Sequence, residues 1–174
     1  MAGPNGEMDW IHVDEEIFDY VGDHTNASDT ALYGRVTYEM MEGYWPTASE
    51  QPNASKHDIE HSRWYNRVGK VVLSRSLKGR QIPNTHIISE NLPEQITALK
   101  NKPGKNIYIF GSPTAAHDLM QHDLIDEYWL FVNPVLIGAG TPVFANITER
   151  ARLNLLETKV FSSGVVCLHY ERVR

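Results

Sequence analysis

Short apolar runs alternate with amphipathic segments along the chain, and this pattern predicts alternating strands and helices. The runs rich in β-branched and aromatic residues predict strands at 30–33, 70–73, 86–89, 106–110 and 126–135. Helical periodicity and start signals predict helices at 14–21, 35–45, from 55 onward, 91–101 and from 113 onward. Ser55 with Asp58 three residues on is a variant of the capping box, and Asn91 with Glu94 is expected to cap the helix that follows it. Two further runs, 153–161 and 165–173, flank a Ser-Ser-Gly turn and predict a hairpin. The order indicates an α/β fold with a mostly parallel sheet, helices on both faces and an antiparallel C-terminal hairpin.

Length and composition narrow the class of protein. A chain of 174 residues with 41% hydrophobic residues fits a single soluble domain, 1–174. The net charge of −6 argues against broad binding to a nucleic-acid backbone. The single cysteine, Cys167, excludes an intrachain disulfide, fits a reducing cytoplasm and sits in an apolar run typical of a core. No apolar segment is long enough for a membrane span, so a cytoplasmic protein is expected.

The stretch KNIYIFGSPTAAHDLM, Lys105–Met120, carries the clearest ligand-binding signal. A buried strand ends at Gly111, Ser112 can cap the following helix, and Pro113 occupies its tolerated first position. A strand that ends in glycine and opens a helix directs free N–H groups and a positive dipole end to one point. An anion such as a nucleotide phosphate can bind there.

The same strand–turn–helix arrangement occurs more than once. The strand 30–33 leads through Gly34 and Arg35 into a helix, and the strand 70–73 ends in Ser74-Arg75-Ser76. In a parallel sheet these ends lie along one edge, where α/β proteins bind ligands. Helix N-termini and arginines there could bind a pyrophosphate, with the Ser-Arg-Ser cluster on an additional 2′-phosphate. NADPH carries both groups and is therefore the expected cofactor.

Five motifs in order resemble those of the dihydrofolate reductase-like superfamily. They are ALYGRVTYE from Ala31, KVVLSR from Lys70, IFGS from Ile109, LIDE from Leu124 and PVLIGAG from Pro134. The branch they resemble most is the one that includes the reductase domain of bacterial riboflavin biosynthesis. The resemblance covers nearly the whole chain. It implies a three-layer α/β/α sandwich that binds NADPH and transfers hydride to a pterin or a ribosylaminopyrimidine.

The resemblance also implies where the cofactor binds. It places Gly34, Arg35 and Thr37 at the pyrophosphate, and Ser74, Arg75 and Ser76 near the adenosine phosphate. The cofactor's central part would contact the segment Gly111, Ser112, Pro113, Thr114 and Ala115. Gly138 and Gly140 would line the neighbouring loop.

Two features depart from that family. Its members usually begin with a central strand ending in Ser-Leu-Asp-Gly, just before a segment like Ala2–Gly6, and this sequence starts after that strand. A sheet lacking the strand would leave backbone groups unpaired, at about 1–3 kcal/mol for each buried group. Dihydrofolate reductases also have a Gly-Gly pair with a cis peptide where this chain has Gly111-Ser112. A non-proline cis bond costs about 2.5–4 kcal/mol and is not assumed here.

The proton donor is the least defined part of the expected chemistry. Dihydrofolate reductases use a carboxylate a few residues after a tryptophan, and here Asp14 follows Trp10, so Asp14 is the candidate. Asp14 could equally be a helix cap. The candidate residues of the substrate pocket are Asp9, Trp10, Tyr38 and Trp45, with Trp64 as a further aromatic. Riboflavin-pathway and folate reduction both remain open.

Two alternatives belong to other functional classes. His57, Glu60 and His61 match the H-x-x-E-H signature of a zinc hydrolase, although the segment is as polar as a solvated helix face. The chain could also bind a nucleotide without catalysis, or act mainly as a homodimer. The strand from Tyr128 to Val132 is apolar on both faces, which suits a central strand or a dimer contact.

Overall fold

Four short strands form a parallel sheet in the computed structural model, which describes residues 2–174. They are β1 (Ser28–Gly34), β2 (Gly69–Leu73), β3 (Thr85–Ile88) and β4 (Asn106–Ile109). Their order is β3-β2-β1-β4, and every neighbouring pair is parallel. Each predicted strand of this sheet is therefore present, with ends shifted by one or two residues.

Five α-helices connect or flank the strands of the described chain. They are α1 (Glu15–Asn26), α2 (Arg35–Glu42), α3 (Lys56–Arg67), α4 (Leu92–Lys100) and α5 (Pro113–Gln121). A 3-10 helix, Trp45–Glu50, follows α2. The sequence predicted one helix through residue 45, but α2 ends at Glu42, and the N–H of its C-cap residue, Gly43, donates to the Glu39 carbonyl. Pro46 is tolerated because it occupies the first turn of the 3-10 helix.

Two of the predicted helix starts illustrate what local sequence can specify. The Ser55 hydroxyl accepts from the Asp58 N–H, and the Asp58 carboxylate accepts from the Ser55 N–H, so the capping box is confirmed. Asn91 was expected to cap α4 with its side chain. Instead it adopts a left-handed backbone, with φ at 51°, and makes no side-chain cap. The expectation of a side-chain cap at Asn91 was therefore wrong.

A second, antiparallel sheet contains β5 (Glu127–Val132), β6 (Arg152–Val160) and β7 (Val166–Val173) in the order β5-β7-β6. The C-terminal hairpin is confirmed, and its turn closes with the Gly164 N–H donating to the Phe161 carbonyl at 3.0 Å. We expected this hairpin to extend the parallel sheet, whereas it belongs to a separate sheet in which β5 is an edge. Cys167 is buried in β7, as predicted for a core residue.

The described chain divides into two compact units. The terminal unit comprises the chain up to Ile17 together with His117–Arg174, and the parallel-sheet unit is Phe18–Ala116. Among residues 2–174, no helix combines the length and apolar character that crossing a bilayer requires.

Aromatic side chains dominate the core of the parallel-sheet unit. Tyr33 from β1, Tyr38 from α2 and Trp64 and Tyr65 from α3 are all buried against Val72 of β2. Burial raises the pKa of both the Tyr33 and the Tyr65 hydroxyl groups, so these phenols stay neutral.

Lys70 of β2 is also buried in this unit. Its ammonium group donates to the Tyr65 carbonyl at 2.9 Å and lies 4.3 Å from the centre of the Tyr65 ring. Because that carbonyl belongs to the last turn of α3, the lysine satisfies an acceptor that the helix leaves open and complements its negative end. Lys70 therefore joins the sheet to α3.

Candidate cofactor and substrate site

The carboxyl ends of three parallel strands meet at one edge of the parallel sheet. Gly34 at the end of β1 pairs with Leu73 at the end of β2, and Leu32 pairs with Ile109 at the end of β4. The turns that follow these strands therefore emerge side by side. This is the edge at which α/β proteins bind ligands.

A direct contact joins the turns after β1 and β4. The Gly34 N–H donates to the Ser112 hydroxyl oxygen at 2.7 Å, and the Ser112 side chain is buried. Gly111 and Ser112 both adopt left-handed conformations, with φ of 52° and 55°, and no peptide bond among residues 2–174 is cis. Ser112 was predicted to cap α5, but its left-handed backbone turns the hydroxyl toward Gly34 instead. It thereby fixes the spacing of the two turns.

Gly34 leaves room for a ligand at the first turn of α2. It occupies the N-cap position without a side-chain cap, so no side-chain oxygen covers the first amide groups of the helix. A Cβ at this position would lie 3.4 Å from both the Ala115 Cβ and the Ser112 hydroxyl oxygen. The small residues around Gly34 therefore keep the helix N-terminus open to an anion.

The two arginines of this edge differ in their pairing. Arg35, the first residue of α2, forms an ion pair with Glu39 at 2.7 Å one turn along the helix, and Thr37, in the same first turn as Arg35, is half-buried. Arg75 is exposed, and its guanidinium group pairs with no carboxylate among the described residues. Arg75 is thus available to a phosphate, whereas Arg35 would first have to leave Glu39.

Hydroxyl groups flank Arg75 in the turn after β2. The Ser74 hydroxyl oxygen accepts from the Leu77 N–H at 3.2 Å and lies 3.2 Å from the Ser76 hydroxyl oxygen. The Ser74 N–H donates to the Ile88 carbonyl, which anchors the turn to β3. The hydroxyl–guanidinium–hydroxyl cluster predicted from the sequence therefore stands on a fixed backbone.

Pro113, Thr114 and Ala115 continue from this turn into α5. Pro113 is the first helical residue, Thr114 is exposed, and Ala115 is buried beside Gly34. Thr114 is the one of the three whose polar group can reach a ligand. Ala115 acts through its size, because a larger residue would fill the space at Gly34.

The other predicted cofactor residues lie in the terminal unit. Gly138 has a φ of 74°, and Gly140 has a φ of 149° and packs against the backbone of Ala2 and Gly3. The Thr141 N–H donates to the Ala2 carbonyl at 2.8 Å beside this contact. Both glycines have a structural reason to be glycine, and their role toward a cofactor stays a prediction.

Asp14 serves as a helix cap in the terminal unit. Its carboxylate accepts from the Ile17 N–H at 2.9 Å, and His12 lies 3.2 Å away. The backbone hydrogen bond from Ile17, aided by His12, lowers the pKa of the Asp14 carboxyl below its ordinary value. An ionised cap is a poor source of a proton at neutral pH, so the capping interpretation accounts for Asp14.

The predicted substrate residues have different surroundings. Asp9 is exposed, and the Trp10 indole N–H donates to the Glu7 carbonyl at 3.2 Å in the terminal unit. Tyr38 is buried in the core of the parallel-sheet unit, where burial raises its pKa. Trp45 is half-buried at the start of the 3-10 helix, and its ring centre lies 4.1 Å from that of His61. Trp45 therefore borders a group of rings, whereas Tyr38 is a core residue.

His57 and His61 face the interior of the parallel-sheet unit. Their ring centres are 5.3 Å apart, and Phe18 stacks on His57 at 3.6 Å. Burial lowers the pKa of His61 to about 4 and also lowers that of His57. The described chain contains no group of three or more histidine, cysteine, aspartate or glutamate side chains that could hold a metal ion. The expectation of a solvated helix face was wrong for these two histidines. For the zinc alternative, the described residues place no third protein ligand beside them.

The model of the RibD C-terminal domain family matches residues 1–167. The chain belongs to the RibD C-terminal domain family. Membership supports a reductase-like function of the riboflavin-pathway kind. A relative from Bacillus subtilis (strain 168), the uncharacterized protein YyaP, is 34% identical over an alignment of 173 residues, which covers 98% of this chain and 87% of YyaP.

Solved structures show the same fold for this RibD C-terminal domain. A Shewanella sp. PV-4 protein assigned to riboflavin biosynthesis matches 99% of the chain and 92% of its own length, with a TM-score of 0.71 and 21% identity. The Thermotoga maritima diaminohydroxyphosphoribosylaminopyrimidine deaminase/5-amino-6-(5-phosphoribosylamino)uracil reductase matches 99% of the chain and 52% of its own length, with a TM-score of 0.64 and 12% identity. The dihydrofolate reductase-like fold expected from the motifs is thus confirmed.

Proposed function

We propose that this protein is an NADPH-dependent reductase that transfers hydride to a small heterocyclic substrate. We propose further that this substrate resembles 5-amino-6-(5-phosphoribosylamino)uracil. The observation that carries the proposal is the meeting of three strand ends at one edge. The Gly34–Ser112 hydrogen bond joins two of them, and the unpaired Arg75 follows the third. Family membership and the reductase name of the Thermotoga maritima neighbour support the reaction class.

The residues of this edge fit a doubly phosphorylated dinucleotide. The open N-terminus of α2 at Gly34 offers amide donors to a pyrophosphate, and Thr37 lies in the same first turn. Arg75, flanked by Ser74 and Ser76, offers a charged donor and two hydroxyl groups to the 2′-phosphate. NADPH, when bound, supplies the hydride. The protein's part is to hold and orient the phosphates while small residues at the two turns let the backbone approach.

A selective loss of NADPH affinity is expected for Arg75→Ala. Removing one charge-assisted contact to a phosphate should weaken NADPH binding by about tenfold or more, because such contacts contribute about 1.5–3 kcal/mol. NADH lacks the 2′-phosphate and should bind Arg75→Ala as it binds the unaltered protein. Both affinities can be measured by titration while tryptophan fluorescence is followed.

Arg80→Ala is the matched control for this experiment, since Arg80 is another exposed arginine of the same connection between β2 and β3. An equal loss in both variants would indicate a general charge effect. Equal affinity of the unaltered protein for NADPH and NADH would contradict the role given to Arg75. Cofactor oxidation measured with the aminouracil and with dihydrofolate side by side then identifies the acceptor, and no oxidation with either would indicate a non-catalytic binder.

We also propose that the protein forms a homodimer through its antiparallel sheet. β6 leaves three large apolar side chains exposed, Leu155 at 50%, Leu156 at 47% and Val160 at 65%. Exposed apolar patches of this kind mark association surfaces. Leu156→Asp is expected to shift the sedimentation profile from dimer to monomer, whereas Thr158→Asp, a polar exposed position of the same strand, is not. A monomeric unaltered protein would contradict the proposal.

A further inference from the structure

The terminal unit contains an open cavity of about 370 Å³ that the cofactor proposal does not use. One of its walls is the antiparallel sheet, to which Tyr128 of β5 and Leu153 of β6 contribute. Their partners on β7, Tyr170 and Arg172, are two residues apart, and alternate side chains of a strand share a face. Tyr128 and Leu153 therefore line the cavity from the same face of the sheet.

The other wall of the cavity is the segment 144–151, which leads into β6. Phe144 and Ile147 of this segment line the cavity with exposed apolar side chains. The Phe144 ring meets the Tyr128 ring edge to face, with the two ring centres 6.1 Å apart. No residue from 145 to 150 makes a hydrogen bond to another residue of the described chain. This wall is therefore held by side-chain packing and can adjust to a bound ligand.

Two residues of the lining offer hydrogen-bond donors that the protein itself leaves unused. The Arg150 guanidinium group pairs with no carboxylate among residues 2–174. The Tyr128 hydroxyl group has no hydrogen-bond partner in the same part of the chain. Burial raises the pKa of this hydroxyl group, so it stays protonated at neutral pH and can donate. The cavity thus combines apolar walls with a cation and a neutral donor.

The carboxylate of Glu149 limits the charge that a ligand of this cavity can carry, because Glu149 lines it together with Arg150. Arg150 attracts one negative charge, whereas a second negative charge would add repulsion from Glu149. A carboxylate carries one charge, and its two oxygens match the planar donor fork of an arginine. A singly charged carboxylate therefore suits the cavity better than a doubly charged phosphate.

We propose that this cavity binds a small aromatic carboxylate, with the ring of the ligand against Phe144, Ile147 and Leu153 and its carboxylate on Arg150. The inference goes beyond the proposed function, because it assigns a second site to residues outside the cofactor edge. Small-molecule sites of this size are lined mainly by apolar side chains, and a few polar groups fix the orientation of the ligand. Aromatic walls favour a planar ring over an aliphatic chain.

Calorimetric titration of the full chain tests the inference, with 2-naphthoate as the probe. Naphthalene-2-carboxamide has the same ring without the charge, and it should bind about tenfold more weakly because it loses the charge-assisted contact to Arg150. Arg150→Gln should weaken 2-naphthoate binding by about the same factor and leave the affinity for the carboxamide unchanged. The dianion 2-naphthyl phosphate should bind no more tightly than 2-naphthoate, because Glu149 repels its second charge.

Arg152→Gln is the matched control, because Arg152 is an exposed arginine two positions further along the chain and does not line the cavity. It should bind 2-naphthoate as the unaltered protein does. No binding of 2-naphthoate, equal affinity for the carboxamide, or tighter binding of 2-naphthyl phosphate would overturn the inference. A shift from dimer to monomer in Arg150→Gln, with the affinity for 2-naphthoate unchanged, would assign the cavity to a contact between two copies and would overturn it as well.

Discussion

Gly34→Val is expected to weaken NADPH binding about a hundredfold. The backbone itself tolerates valine, since Gly34 has a φ of −77° and a ψ of 160°. The side chain is the obstacle, because a Cβ would already lie 3.4 Å from the Ser112 hydroxyl oxygen and the Ala115 Cβ. The γ-methyl groups of valine would project further from the backbone than the Cβ does. They would disturb the Gly34–Ser112 hydrogen bond and cover the N-terminus of α2. Losing two phosphate contacts of about 1.5 kcal/mol each corresponds to about a hundredfold loss of affinity.

Gly43→Ala provides the matched control at the other end of the same helix. Gly43 has a φ of −72°, and a Cβ there would lie in ordinary contact, 3.5 Å from the Glu39 carbonyl oxygen. Its NADPH affinity should equal that of the unaltered protein when both are titrated by tryptophan fluorescence. A Gly34→Val protein that unfolds at the same denaturant concentration and still binds NADPH normally would show that the cofactor does not approach α2.

Tyr65→Ala is expected to lower the free energy of unfolding by about 3–5 kcal/mol, the usual cost of truncating a large buried aromatic residue. Tyr65 is fully buried in the core of the parallel-sheet unit, and Lys70 lies against its ring. A cavity beside a buried ammonium group removes both packing and a favourable cation–π contact. Denaturation in urea, followed by circular dichroism, measures the change.

Tyr65→Phe separates the ring from its hydroxyl group. The Tyr65 hydroxyl donates to the Glu42 carboxylate at 2.8 Å, so this variant should lose about 1 kcal/mol, the net value of one hydrogen bond. A loss in Tyr65→Phe as large as that in Tyr65→Ala would place the stabilisation in the hydrogen bond to Glu42 and contradict the packing argument.

The sequence predicted the parts of the fold that depend on neighbouring residues. The capping box at Ser55 involves residues three apart, and its two reciprocal hydrogen bonds formed as expected. The strands β1, β2 and β4 were recognised because each buried run is short and bounded by turn residues. Local periodicity specifies these features, so it suffices to predict them.

The sequence did not predict which strands pair with one another or which side chains meet, because these contacts join distant parts of the chain. β5 is apolar on both faces, as a central strand would be, and yet it is the edge of a separate sheet. Ser112 precedes a proline-led helix, as a cap would, and its hydroxyl instead accepts from Gly34. In both cases the deciding contact comes from a distant part of the chain, which a sequence window does not contain.

The candidate site shows the same division between local and distant information. Its glycine, serine and arginine positions stand out because they follow strands. The interior position of His57 and His61 was missed because they occur in a polar segment, which resembles a solvated helix surface. One signal was available, since His57, His61 and Trp64 share the face of α3 at spacings of four and three residues.

The bond between Gly34 and Ser112 has a consequence for the order of folding. Its two residues are 78 positions apart in the chain, and the strands that carry them are neighbours only after β4 has joined β1. Closing so long a loop is slow relative to forming local helices and turns. The nascent chain can therefore build α2 and α3 early, but the contact between the turns after β1 and β4 forms only once β4 has joined β1.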